Sequence, residues 1–188
     1  MQGPLEAVWV LNQGSACTSA AVLAGLGALG ARGLPDLGAA TLALGASEAF
    51  GAPALMDYVR LPGRRAPLDV RIEKLAAGCG LAVASRSGLV ARGRRVRPAS
   101  DEALVVNLAF GQEQPGRYGT WGWHPLRPRT YSTGGHSVLL AAVEPDGAWV
   151  VLDPNHRRLQ RWPRPGLAVT TTRIRPLDGG RATAARPR

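Results

Sequence analysis

At 188 residues and 45% apolar content, the chain is long enough for one domain with a full core and too apolar for a disordered segment. Its 23 basic residues against 13 acidic ones give a net charge of +10, which excludes an acidic solvating protein and suits an acidic partner surface, an anionic membrane or nucleic acid. With 2 cysteines and 3 histidines at no zinc-type spacing, neither a metal nor a cofactor is expected.

Val8-Trp9-Val10-Leu11 is a short apolar entry segment, followed by the polar turn Asn12-Gln13-Gly14-Ser15. Cys17 then opens an apolar run that predicts a helix to about Ala31, buried on most faces, with Gly33, Leu34 and Pro35 ending it. Gly25, Gly27 and Gly30 each cost about 1 kcal/mol of helix propensity relative to Ala, and leave room for close packing of another element. The run is too short and too polar to span a membrane. Met1–Leu11 has no basic n-region, so no secretory signal is expected; cytoplasmic residence and export by a specialised system both remain compatible.

Asp36 is placed to cap a second helix reaching about Leu44, and Pro53–Tyr58 reads as another short one. After the basic loop Leu61–Pro67, Asp69 is the expected N-cap of a helix ending near Ala77. Cys79 sits at that helix end, before Gly80, and is expected to be a buried thiol. Two cysteines so far apart make no disulfide framework. Leu81–Ser85 predicts a strand, and Ser87–Ala99 a Gly/Arg-rich loop or exposed hairpin. From Ala103 the pattern changes. Strands are predicted at Leu104–Phe110, His136–Glu144, Trp149–Asp153, Leu159–Trp162 and Leu167–Ile174, with Pro145-Asp146-Gly147 as a turn. Helices first and strands second define an α+β fold. About residues 1–100 form its helical part, about 101–176 its sheet, and 177–188 a basic flexible tail.

Chemistry concentrates at three places. A thiol in the first turn of a helix meets unpaired N–H groups and the positive end of the helix dipole, and both favour the nucleophilic thiolate. That describes Cys17. Such a nucleophile needs a base, and the base needs an orienting partner. Gly134-Gly135-His136-Ser137 and Leu152-Asp153-Pro154-Asn155 offer them in His136 and Asp153, with His124 and His156 as competing bases and Asn155 as a competing partner. Hairpin register decides between the partners. A three-residue Pro-Asp-Gly loop pairs Glu144 with Ala148 and sets His136 opposite His156, with Asp153 on the other face. A Val143–Asp146 loop sets His136 opposite Asp153, and a Glu144–Gly147 loop sets it opposite Asn155. Both strands are apolar on both faces, so the pattern leaves all three open. The Gly111–Gly135 stretch is too long for a plain connection and enters directly on His136; Trp121 and Trp123 within it are expected to wall a substrate cleft.

Gln-Gly-x-x-Cys opening an apolar helix, Gly-His opening an apolar strand, and an apolar strand ending in Asp-Pro-Asn together resemble the papain-like cysteine peptidases. The closest likeness is to their bacterial branches, the YopT-like effector proteases and bacteriocin-leader-processing peptidases. The resemblance covers roughly residues 10–30 and 130–162. It implies a helical lobe carrying Cys17, a sheet lobe carrying His136 and Asp153, and a site in the cleft between them. The implied activity is hydrolysis of peptide or isopeptide bonds in a protein or peptide substrate, through a Cys17–His136–Asp153 triad and a thioester. The His136 spacing of 119 residues from Cys17 is shorter than the ~130–150 of papain types. The family places an oxyanion-hole glutamine six residues before the cysteine; here that position is Leu11, and Gln13 or Asn12 would serve. The same triad serves deamidation and acyl transfer. A different class also stays open, a basic non-catalytic module binding an acidic partner or nucleic acid. No recognised nucleic-acid motif supports the latter ligand.

Overall fold

The computed structural model describes residues 5–46, 53, 57, 61–87, 96–114, 117–120, 135–163 and 167–177. Among these the helices are α1 (Cys17–Ala28), α2 (Leu37–Ala43) and α3 (Pro67–Gly78). The strands are β1 (Leu81–Ser87), β2 (Ala103–Gln114), β3 (Arg117–Thr120), β4 (Gly135–Val143), β5 (Trp149–Leu152), β6 (Gln160–Trp162) and β7 (Leu167–Pro176). The architecture is α+β. The strands pair antiparallel in the order β1-β7-β2-β4-β5-β6, with β3 hairpinned onto the far end of β2.

Eleven of the twelve residues of α1 are buried, as expected of a helix apolar nearly all round. Its C-terminus is closed by Gly30 at φ +82, with the N–H of Ala31 donating to Leu26 O at 3.1 Å and that of Gly30 to Gly27 O at 2.9 Å. This Schellman arrangement ends the helix at Ala28, short of the Ala31 expected, because glycine takes the left-handed turn at no steric cost. Asp36 accepts from the Ala39 N–H at 2.8 Å and caps α2. Asp69 is not the cap of α3. That helix starts with Pro67 at N1 after Ala66, the position where a missing N–H costs nothing. Asp69 is buried instead and accepts from the Thr172 hydroxyl at 3.2 Å. Cys79 is half-buried, not buried, and the following Gly80 takes φ +73.

The two faces of the sheet carry different cores. Val105, Leu139, Leu152 and Ile174 join Val22, Leu26, Leu44 and Ile72 in one cluster, so α1 and α3 share a core with that face. Leu104, Val106, Val138, Leu140, Trp149 and Val151 form a second cluster on the opposite face, the period-2 alternation separating the sets. Within the stretch read as a long loop, Gly111–Gln114 prolongs β2 and pairs with β3. Its Gly-Gln-Glu-Gln composition gave no apolar alternation; the hairpin is held by backbone pairing. Trp121, Trp123 and His124, most of Pro53–Tyr58, residues 88–95 and the tail from 178 lie outside the described residues. No helix among the described residues is long and apolar enough to cross a membrane.

Gly25 and Gly27 separate two reasons for glycine in a buried helix. A Cβ on Gly25 would lie 3.4 Å from Ala103 Cβ and 3.5 Å from Leu139 Cδ1, ordinary contact with the sheet. On Gly27 it would lie 3.2 Å from both Cβ and Cγ1 of Val8, so the entry segment must shift. Gly25→Ala is expected to raise stability by up to about 1 kcal/mol through helix propensity. Gly27→Ala is expected to gain less or to lose. Urea denaturation midpoints test the order, and Gly27→Ala proving the more stable variant would contradict this packing.

Candidate active site

Cys17 is the first residue of α1, preceded by Ala16 without a side-chain cap. The chain reaches it through a turn at Gly14, φ +63, in which the Ala16 N–H donates to Gln13 O at 3.3 Å. The uncapped start leaves the N–H groups of the first turn unclaimed by any capping side chain, and the first turn holds no acidic residue. Cys17 is 9% exposed, and neither cysteine forms a disulfide.

His136 is the second residue of β4, opposite Leu108 of β2. Its Nε2 lies 2.8 Å from Asp153 Oδ1. Cys17 and the ring are near enough to shift each other's protonation, and with Nε2 committed to Asp153, Nδ1 is the nitrogen left for the sulfur. Asp153 is completely buried. Its Oδ1 also accepts the Asn155 N–H at 2.8 Å, and its Oδ2 is 4.0 Å from His156 Nε2.

The ladder of β4 and β5 combines two of the three registers: that of the three-residue loop at the turn and, nearer the site, that of the Glu144–Gly147 loop, which lines His136 up with Asn155 and leaves Asp153 on the His136 face. The turn is the three-residue form: the Glu144 N–H donates to Ala148 O at 2.8 Å, and Val143 pairs with Trp149. Continued unchanged, it would put Asp153 on the wrong face. Between Ala142↔Val150 and Leu140↔Val151, however, β4 carries one extra residue, Ala141. A bulge of this kind shifts the ladder by one residue and so exchanges faces. Beyond it Leu139 pairs with Leu152, which returns Asp153 to the face of His136, diagonally across the strands. Pro154 then ends the strand.

A second set of contacts ties the segment before Cys17 to the Asp-Pro-Asn turn. Trp9 Nε1 donates to Asp153 O at 2.9 Å, and the Asn12 N–H to Pro154 O at 2.9 Å. Asn12 Nδ2 donates to Asn155 Oδ1 at 3.0 Å. Thus Asn155, considered for the orienting role, contacts Asp153 through its backbone and the Cys17 loop through its side chain. Gln13 is exposed, and Asn12 is half-buried with its amide on Asn155. His156 is the more exposed histidine, facing the outer oxygen of Asp153. Sequence reading passed over Trp9, Thr18, Asn107 and Ser137 as site residues. Ser137, directly after the candidate base, was the one with a local signal.

The charges support one another. Burial pushes the Cys17 thiol up, but the hydrogen bond to His136, the charge of that ring, and the backbone N–H and hydroxyl of Ser137 prevail and hold it below its ordinary 9.0. Burial pushes His136 down, yet the bond to Asp153, then the bond and charge of Cys17 and the charge of Asp153, raise it from 6.5 to about 9. Thiolate and imidazolium therefore coexist from the lowered thiol value up to about pH 9. A sulfur nucleophile beside a charged proton donor equips this site for acyl transfer. Among the described residues no group of three His, Cys, Asp or Glu side chains is placed to hold a metal ion.

Iodoacetamide should therefore alkylate Cys17 at pH 7 faster than a buried thiol without such partners. His136→Gln should slow that reaction severalfold at pH 7 and by less at pH 10, where more of the buried thiol ionises without help from the ring. Equal slowing at both pH values would argue against charge stabilisation by the ring. No family model, curated protein or solved structure matches this chain.

Proposed function

We propose that this protein is a cysteine peptidase of papain-like organisation, acting on a protein or peptide substrate. The observation that carries the reading is the buried Asp153–His136 hydrogen bond of 2.8 Å, on a ring whose protonation is coupled to a helix-start cysteine. In this reading the Cys17 sulfur attacks the scissile carbonyl carbon, and the C=O electron pair moves onto oxygen. The Cys17 backbone N–H, at the positive end of α1, is positioned to receive that charge, with Asn12 or Gln13 as the second donor. As the C–N bond breaks, His136 gives its Nδ1 proton to the leaving amine. The ring then takes a proton from water, whose oxygen attacks the thioester and releases the acid and the thiolate. Asp153 holds the ring throughout. Deamidation and transfer to another acyl acceptor would use the same thioester and differ in the leaving group or in what arrives to resolve it.

Arg157 and Arg158 are exposed on the loop that leaves Asp153, without an ion-pair partner among the described residues. They support an acidic partner or substrate segment on this rim.

Incubating a proteome-derived peptide library with the wild type and with Cys17→Ala tests the reading: new N-termini should arise with the wild type alone. Identical termini in both samples, or none in either, would count against a peptidase. With a substrate so found, Asp153→Ala should lower kcat/KM by about 10–10³-fold, each tenfold being about 1.4 kcal/mol of barrier. Asn155→Ala should cost much less, because its bond to Asp153 comes from the backbone. Activity should fall as pH rises through about 9, where the ring loses the proton the leaving amine needs. Asn155→Ala proving the more damaging change would transfer the orienting role to Asn155.

A further inference from the structure

Thr18 and Ser137 each stand one residue after a proposed reactive group, Cys17 and His136, and their hydroxyls are 2.8 Å apart. The pair joins α1 to β4 across 119 residues of chain, the same separation as Cys17 to His136. Both residues are buried, at 1% and 2% exposure. Consecutive Cα atoms lie about 3.8 Å apart. A bond between these two neighbours therefore holds the backbone that carries the thiol against the backbone that carries the ring.

The pair is itself anchored. The Ser137 hydroxyl donates to Asn107 Oδ1 at 2.5 Å, and Asn107 Nδ2 donates to Thr170 Oγ1 at 2.7 Å. Ser137 and Thr170 are the cross-strand partners of Asn107 on β4 and β7. An amide oxygen can only accept, so the single Ser137 proton belongs to Asn107 and the Thr18 hydroxyl is the donor to Ser137. Side chains alternate along a strand. Ser137 and Asn107 thus share the α1-covered face with Leu139 and Val105, while His136, opposite Leu108, takes the other. The pair grips the helix from the side the ring does not use, and reaches the ring only through the backbone of β4. Apolar packing alone would let α1 slide. Sliding would leave two buried hydroxyls unanswered, which is costly in a core.

We propose that Thr18 and Ser137 are positioning residues of this site: their hydroxyl pair sets how closely the Cys17 sulfur meets His136, and Asn107 fixes the pair by committing the one Ser137 proton. The proposal rests on Cys17 and His136 being nucleophile and base. Neither hydroxyl takes part in the chemistry. Without the pair, the thiol and the ring remain in the fold but lose their fixed separation.

The test is a double-mutant cycle on the rate of Cys17 alkylation by iodoacetamide at pH 7 in the full chain. The quantity read is the ratio by which His136→Gln slows the reaction, first in the wild type and then with Thr18→Val, which keeps the side chain's shape and removes its hydroxyl. A ratio cancels any change in how easily the reagent enters. It should drop about threefold or more in the Thr18→Val background, a coupling of the size found between groups in one network, and Thr18→Ser should restore it. Thr172→Val removes another buried hydroxyl of this sheet face, the one that donates to Asp69 at 3.2 Å. That change should lower the melting temperature and leave the ratio as it is. A ratio undiminished by Thr18→Val, or diminished as much by Thr172→Val, overturns the proposal. If Thr18→Val does not fold, Ser137→Ala opens the pair from the β4 side and is held to the same ratio. His136→Gln without effect in the wild type would instead strike the pairing of Cys17 with His136 itself, so the two failures are told apart.

Discussion

A carboxylate taken wholly out of water must be answered on every side, and Asp153 is the residue around which this structure is arranged. Leaving a buried charge unanswered costs several kcal/mol. Its Oδ1 receives the His136 ring and the Asn155 N–H, its Oδ2 faces His156, and its backbone carbonyl receives the Trp9 indole. Each answer has a structural consequence. The first fixes the imidazole, the second ends β5 in a tight turn, and the last draws the segment before α1 onto that turn. Asn12 completes the attachment through Pro154 and Asn155. The distance between a thiol near the start of the chain and a ring far along it is thus set by hydrogen bonds converging on one turn.

The helix that carries the thiol is positioned by different means. α1 contributes no charged residue, and its burial on the sheet is a matter of apolar area and of shape at Gly25 and Gly27. Apolar burial of this kind is strong but non-directional. Direction comes from Thr18, one residue beyond Cys17, which reaches Ser137 and through it the polar chain across β4, β2 and β7. Apolar packing holds the helix against the sheet, while the polar chain fixes its first turn against the first residues of β4.

The site's charge balance follows from that placement. Burial alone would neutralise both Cys17 and His136, since it pushes the thiol up and the imidazole down. Together, with Asp153 behind the ring and the Ser137 donors beside the sulfur, each makes the other's charged form the favoured one. Neither group would be activated alone, so the pairing belongs to the tertiary contact.

What the amino-acid sequence determined by itself was local. The apolar run after Cys17, the Asp36 cap, the strand-forming runs after Ala103 and the α+β order are legible because helix burial, capping and alternation act over a few neighbouring residues. The same locality drew attention to Cys17, His136 and Asp153 as chemistry-bearing side chains at element ends. The tertiary structure alone decided which of them meet. Ala141 is one more small residue in an apolar run, yet as a bulge it exchanges the faces of β5 relative to β4 and turns Asp153 toward His136. Asp69 looks like a cap until Pro67 starts the helix ahead of it and Thr172, distant in sequence, takes its carboxylate. Ser137 and Asn107 read as ordinary polar residues in strands until pairing sets them side by side. A strand apolar on both faces carries no mark of its register, and a polar residue carries no mark of its partner. Both are settled by contacts between segments far apart in the chain, where pattern within any one segment has no reach.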